Sequence, residues 1–139
     1  MILLDTNVVS EVMRTDGEQC VLDWLDQQPG PSVWITSITL MEIRYGLESM
    51  PQGRKREEIT ESFELFLSKA IEERIAAFDS EAARYAANLM ALRKNRGRPG
   101  ELKDTMIAGI ALATRATLAT RNTAHFEDLS VPVVNPWTA

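Results

Sequence analysis

Three carboxylates and one amide sit in matching local contexts along the chain. Asp5 follows the apolar run MILL, Glu42 lies within SITLMEIRYGLESM, Asp104 opens ELKDTMIAGIALATR, and Asn122 follows ATLAT in TRN. Each has an ordinary explanation by itself. A lone helical glutamate usually faces solvent beside an arginine, and an aspartate in a first helical turn gains roughly 0.3–1 kcal/mol from the helix N-terminus. An asparagine after a strand is a common turn residue, and an aspartate ending a strand is either a loop-former or a functional group. The set says more than its members. If the apolar runs are parallel strands, all four positions map to one sheet edge, the edge where open parallel sheets bind ligands. Carboxylates gathered there repel one another and persist as a group only when a cation neutralises them. Oxygen donors without histidine suit Mg²⁺ or Mn²⁺ better than zinc. The single histidine, His125, is read as a surface or packing residue.

The elements that must position these groups follow from pattern. MILL reads as a strand buried on both faces. SVWIT, RIAAF, ATLAT and VPVVN supply four more strands, and helical segments separate them. Asn7 is expected to cap a short helix through about Met13, and Asp79 to cap SEAARYAANLMALRKN. Ile59, Phe63, Phe66 and Leu67 form an apolar stripe in PQGRKREEITESFELFLSKAI. In the segment around Glu42, one stripe runs through Leu40, Ile43, Leu47 and Met50 and another through Ile38, Met41 and Tyr45. Glu42 shares the strip between them with Thr39, Gly46 and Ser49, small or polar residues that leave a carboxylate reachable. Asp104 shares a face with Ile107, Ala108 and Ala111, at the end of a stripe that must be buried. A helix from about Glu101 to Thr114 carries it. The expectation is an α/β, three-layer α/β/α sandwich on a five-stranded parallel sheet. These runs leave the strand order open.

Composition narrows the classes. The 139 residues, 45% hydrophobic and 25% charged, fit one domain over residues 1–139. One cysteine, Cys20, excludes an internal disulfide and reads as a packed thiol in a reducing compartment. No window is apolar enough to span a bilayer, so a cytoplasmic protein is expected. A net charge of −5 argues against nucleic-acid binding by bulk electrostatics, but it leaves room for a local basic patch or a bound metal. Trp24, Trp34 and Trp137 are assigned to core or interface.

The segments LLDTNVVSE, ITLMEIRYG, KDTMIAGIA, ATRN…HFE and VNPW, in this order from Met1 to Trp137, resemble the PIN domain, and within it the VapC/FitB-type toxins of toxin–antitoxin pairs. The resemblance implies a sheet in the order 3-2-1-4-5, an Mg²⁺- or Mn²⁺-dependent endoribonuclease activity, a cognate antitoxin and a homodimer. It places the acidic site at Asp5, Glu42 and Asp104, with Asn122 where many members have a fourth acid. That asparagine keeps an oxygen donor and removes a charge, leaving one or two metals open. Thr6 would hold neighbouring carboxylates or a substrate phosphate through its hydroxyl. Substrate contacts are expected from Arg93, Lys94, Arg96 and Arg98 in RKNRGR, positions that fit a solvated helix C-terminus equally well. A haloacid-dehalogenase-like phosphatase needs a second acid two residues after the first, where this chain has Asn7. The remaining alternative is a catalytically silent PIN-fold module that binds RNA or protein.

Overall fold

The computed structural model describes all 139 residues. Five short parallel strands are formed by the apolar runs: β1 (Ile2–Leu4), β2 (Val33–Thr36), β3 (Ile75–Ala76), β4 (Thr117–Ala119) and β5 (Val133–Val134). Their order is β3-β2-β1-β4-β5, as the family resemblance implied. Six helices connect them: α1 (Thr6–Met13), α2 (Gln19–Asp26), α3 (Ser37–Ser49), α4 (Arg54–Leu65), α5 (Ser80–Asn95) and α6 (Leu102–Thr114). The segment expected as one helix before β3 divides, because α4 gives way to a wider π turn over Phe66–Ala70. Its apolar stripe still packs inward, with Phe63, Phe66 and Leu67 buried.

Alternation along the strands builds two cores. Leu4, Val33, Ile35 and Ala119 face one layer with Val8, Val9, Val21, Ile43, Leu47 and Phe63 from α1–α4. Leu3 and Leu118 face the other, with Ala82 and Leu89 of α5 and Ile107, Ala108, Ile110 and Ala111 of α6. Burial on both faces explains why these strands are continuously apolar. The α5/α6 pair approaches closely at Gly109, where a Cβ would come within 2.6 Å of the Ala82 carbonyl oxygen and 2.8 Å of the Ala86 Cβ. Trp24 and Trp137 pack against the first core and Trp34 against the second.

Two expectations are corrected. Asn7 is not the cap of α1; Asp5 is the N-cap, accepting a hydrogen bond from the Thr6 amide at 2.8 Å. The chain leaves β1 and enters α1 with no spacer, so the aspartate ends one element and begins the next. Cys20 is exposed rather than packed, because Val21 is the residue of α2 that turns fully into the core. Asp79 does cap α5, accepting from the Ala82 amide at 2.9 Å.

Strand register decides what stands at the sheet edge. Leu4 pairs with Ile35 on one side and Ala119 on the other, so the next residues, Asp5, Thr36 and Thr120, form one row. All three are buried. Because the chain steps to β2 on one side of β1 and returns to β4 on the other, this row lies at the sheet's topological switch point.

Candidate active site

Asp5 is fixed from three sides. One carboxylate oxygen takes the Thr6 amide, while the other accepts the Thr120 hydroxyl at 2.7 Å and the Asn7 side-chain amide at 3.2 Å. Asn7 also accepts the Arg121 amide at 3.1 Å, tying the end of β1 to the loop after β4. Its role is to align that loop. Thr120 in turn accepts the Asn122 amide at 3.1 Å, which fixes the backbone of the expected fourth position. The Asn122 side chain itself is exposed.

Glu42 is half-buried on α3, in the strip read from the sequence, and accepts the Thr6 hydroxyl at 2.9 Å. Thr6 also lies 3.1 Å from the hydroxyl of Thr39, so a short polar relay joins α1 to α3. This matches the role expected for Thr6 toward a neighbouring carboxylate. The apolar stripe through Ile38, Met41 and Tyr45 is only partly buried: Ile38 turns inward, but Met41 is 49% and Tyr45 71% exposed. Asp104, half-buried in the first turn of α6, lies 2.9 Å from His125 Nδ1. A carboxylate can only accept, so Nδ1 carries the proton in this pair. His125 is on the surface, as expected, and in addition pairs with Asp104.

Asp104 and Glu42 lie close enough to act electrostatically on Asp5. Burial pushes the Asp5 carboxyl above its ordinary value; hydrogen bonds from Thr120 and Thr6 oppose this, and the charges of Asp104 and Glu42 add to it. No three His, Cys, Asp or Glu side chains close on one point at metal-ligand spacing, so the acids form an open set rather than a tight cage. The donor chemistry fits a hard dication all the same. A desolvated carboxylate raised by two like charges is the group that a cation relieves most, and every donor is oxygen.

A cleft of about 620 Å³ opens beside Asp104, lined also by Arg93, Arg96, Arg98, Glu101, His125 and Glu127 among others. Of the three site acids, only Asp104 borders it. Arg96 and Arg98 are exposed along its wall. Lys94 lies instead beside Met90, Pro99 and Leu102 in a separate hollow. Arg93 requires correction as a substrate contact. It is 4% exposed, and its guanidinium is taken up internally by Asp128, Thr105 and the His125 carbonyl. The cause is its position on the buried face of α5, shared with Ala82, Ala86 and Leu89. Sequence reasoning missed Thr120, Asn7 as a clamp, and His125. The polar repeat T-x-N after β4 was a visible signal for Thr120, but pairing across 115 positions was not.

A doubly wound parallel sheet in the order β3-β2-β1-β4-β5, with a buried aspartate at the β1/β4 switch point, is the architecture of a PIN-type α/β domain. The chain belongs to the PIN-domain family, whose model matches residues 2–131. Among curated relatives, plasmid stability protein StbB of Pseudomonas syringae pv. tomato is 40% identical over 139 residues, covering 100% of both chains. VapC ribonuclease Y4jK of Sinorhizobium fredii is 37% identical, covering 99% of this chain and 98% of its own. Similar solved structures include FitAB bound to an IR36 DNA fragment, with a TM-score of 0.90, 35% identity and coverage of 99% and 96%. A toxin–antitoxin complex from Klebsiella pneumoniae matches with a TM-score of 0.70 and 26% identity, over 98% of each chain. No helix is long and apolar enough to cross a membrane.

Proposed function

We propose that this protein is a metal-dependent endoribonuclease that serves as the toxin of a toxin–antitoxin pair. The observation that carries the reading is Asp5 at the switch point, held by Thr120, Thr6 and Asn7, its carboxyl raised chiefly by burial with the charges of Asp104 and Glu42 adding to it. A ribonuclease relative and resemblance to toxin–antitoxin complexes support it. Asp5, Glu42 and Asp104 would hold Mg²⁺ or Mn²⁺, with the Asn122 amide oxygen as a neutral fourth donor. When bound, such an ion supplies charge stabilisation at the scissile phosphodiester and lowers the pKa of the attacking water. The protein's own groups do the positioning. Asp5 cannot swing, because it ends a strand and caps a helix at once. Thr6 holds Glu42 toward α1, and Arg96 and Arg98 offer cations to the flanking phosphates of RNA.

An acidic site of this kind invites inhibition by a basic side chain of an antitoxin, and arginine suits it because its planar fork can bridge carboxylates. The exposed Met41 and Tyr45, one on each side of Glu42 along α3, and Leu65 on α4 offer apolar surface for that antitoxin or for a second copy in a homodimer. The test is inducible expression in a bacterial host, with and without the product of the gene's immediate upstream neighbour. Growth arrest that the neighbour relieves and that Asp5→Asn removes supports the reading. Harmless expression of folded protein that still cleaves RNA would remove the toxin role and leave a nuclease.

A further inference from the structure

The cleft beside Asp104 rests on one buried guanidinium. Arg93 donates from Nε to Asp128 Oδ2 and from Nη2 to Asp128 Oδ1, each at 2.9 Å, a planar two-point pairing. Nη1 donates to the Thr105 hydroxyl at 3.1 Å, and Nη2 also donates to the His125 carbonyl at 2.9 Å. Thr105 directly follows Asp104 on α6, and its hydroxyl donates onward to the Glu101 carbonyl at 2.9 Å. His125 meets Asp104 through Nδ1 at 2.9 Å. The RGRPG loop closes over the same group, for a Cβ on Gly100 would sit 3.1 Å from Arg93 Nη1, and Gly100 adopts a φ of +71°. One side chain thus touches both segments that carry the Asp104–His125 pair, together with the loop that presents Arg96 and Arg98.

We propose that Arg93 is a positioning residue, its buried guanidinium fixing the first turn of α6 and the 123–126 turn so that His125 meets and orients Asp104. The inference deepens the nuclease reading and rests on it for its effect on turnover, but not for its geometry. A lysine at this position keeps the positive charge while lacking the fork that serves Asp128, Thr105 and the His125 carbonyl together.

The test uses full-length Arg93→Lys with two independent readouts. Because His125 is the only histidine, the ¹⁵N spectrum of a single imidazole reports the Nδ1 hydrogen bond whether or not the protein cleaves RNA. The expected result is a folded variant whose imidazole signals shift toward those of a ring without the Nδ1 hydrogen bond to Asp104. Its kcat on RNA should drop about 10- to 100-fold, as for groups that orient metal ligands, with KM changed less than about 2-fold, since Arg93 is only 4% exposed and its guanidinium is already taken up by Asp128, Thr105 and the His125 carbonyl. If Arg93→Lys does not fold, Thr105→Val removes one arm of the clasp, and the same spectral shift is expected at smaller amplitude. An imidazole spectrum identical to wild type overturns the proposal. So does a defect confined to KM and to the salt dependence of RNA binding, which would mark Arg93 as a phosphate ligand. If cleavage is absent in the wild type while the imidazole shifts, the nuclease reading fails and the positioning geometry stands.

Discussion

At the scale of single residues, Asp5 is central, and its electrostatics make a prediction with a definite sign. Its folded-state pKa is raised, chiefly by burial, above that of the unfolded chain. The native state therefore holds the proton to higher pH, and stability falls as pH rises from the ordinary aspartate range through the raised value. Thermal melts of the protein in EDTA, between about pH 4 and pH 7, should show this fall, and Asp5→Asn should flatten it while leaving the protein at least as stable at neutral pH. Asn122 gives a second prediction. Replacing it with Asp adds a carboxylate beside a set of hard-cation donors, so half-maximal activity should need less Mn²⁺. An unchanged metal titration would put position 122 outside the metal shell. Residue types showed in the sequence which groups could act, but not how each would be used. Asp5, Glu42 and Asp104 could be placed from strand ends and helix faces, while Arg93 was misassigned because a run of arginines and lysines does not reveal which one turns inward.

At the scale of elements, patterning was an effective guide because both faces of the sheet are covered. Continuous apolar runs marked all five strands, and the Asp79 cap and the helix carrying Asp104 fell where the spacing put them. Strand order was not accessible that way, since a two-residue strand such as β3 carries no information about its neighbours; it came from family resemblance. The Asn7 cap failed for a related reason, because β1 runs into α1 without the spacer residue that pattern alone would supply. Gly109 shows the same limit: within an apolar helix it looks like a defect, yet it admits α5 against α6. Substituting Ala there would gain about 1 kcal/mol of helix propensity and cost roughly 1–3 kcal/mol in overpacking. With a backbone carbonyl at 2.6 Å the second effect dominates. Gly109→Ala should therefore unfold at lower urea than wild type, by up to about 2 kcal/mol, and a stabilised variant would mean that the two helices can separate freely.

At the scale of the whole molecule, the proposed RNA binding by a chain of net charge −5 requires a local basic patch. Arg96 and Arg98 on the cleft wall are the groups placed to do so. Changing both to Ala should lower RNA affinity and reduce the log–log salt slope by roughly 0.7 for each phosphate no longer neutralised. A slope equal to wild type would return both residues to the role of solvated surface. Binding, however, does not distinguish a nuclease from a silent module of the same fold, and only hydrolysis does. The measurement that bears most directly on the central claim is cleavage of mixed cellular RNA by the purified protein in Mg²⁺ or Mn²⁺ against EDTA, run beside Asp5→Asn and Asp104→Asn. The predicted result is cleavage with either metal, none in EDTA, and a loss on the order of 100-fold or more in each variant with the fold intact by circular dichroism. Cleavage that persists in EDTA, or that either variant performs at the wild-type rate, would contradict the assignment of these acids as the catalytic centre.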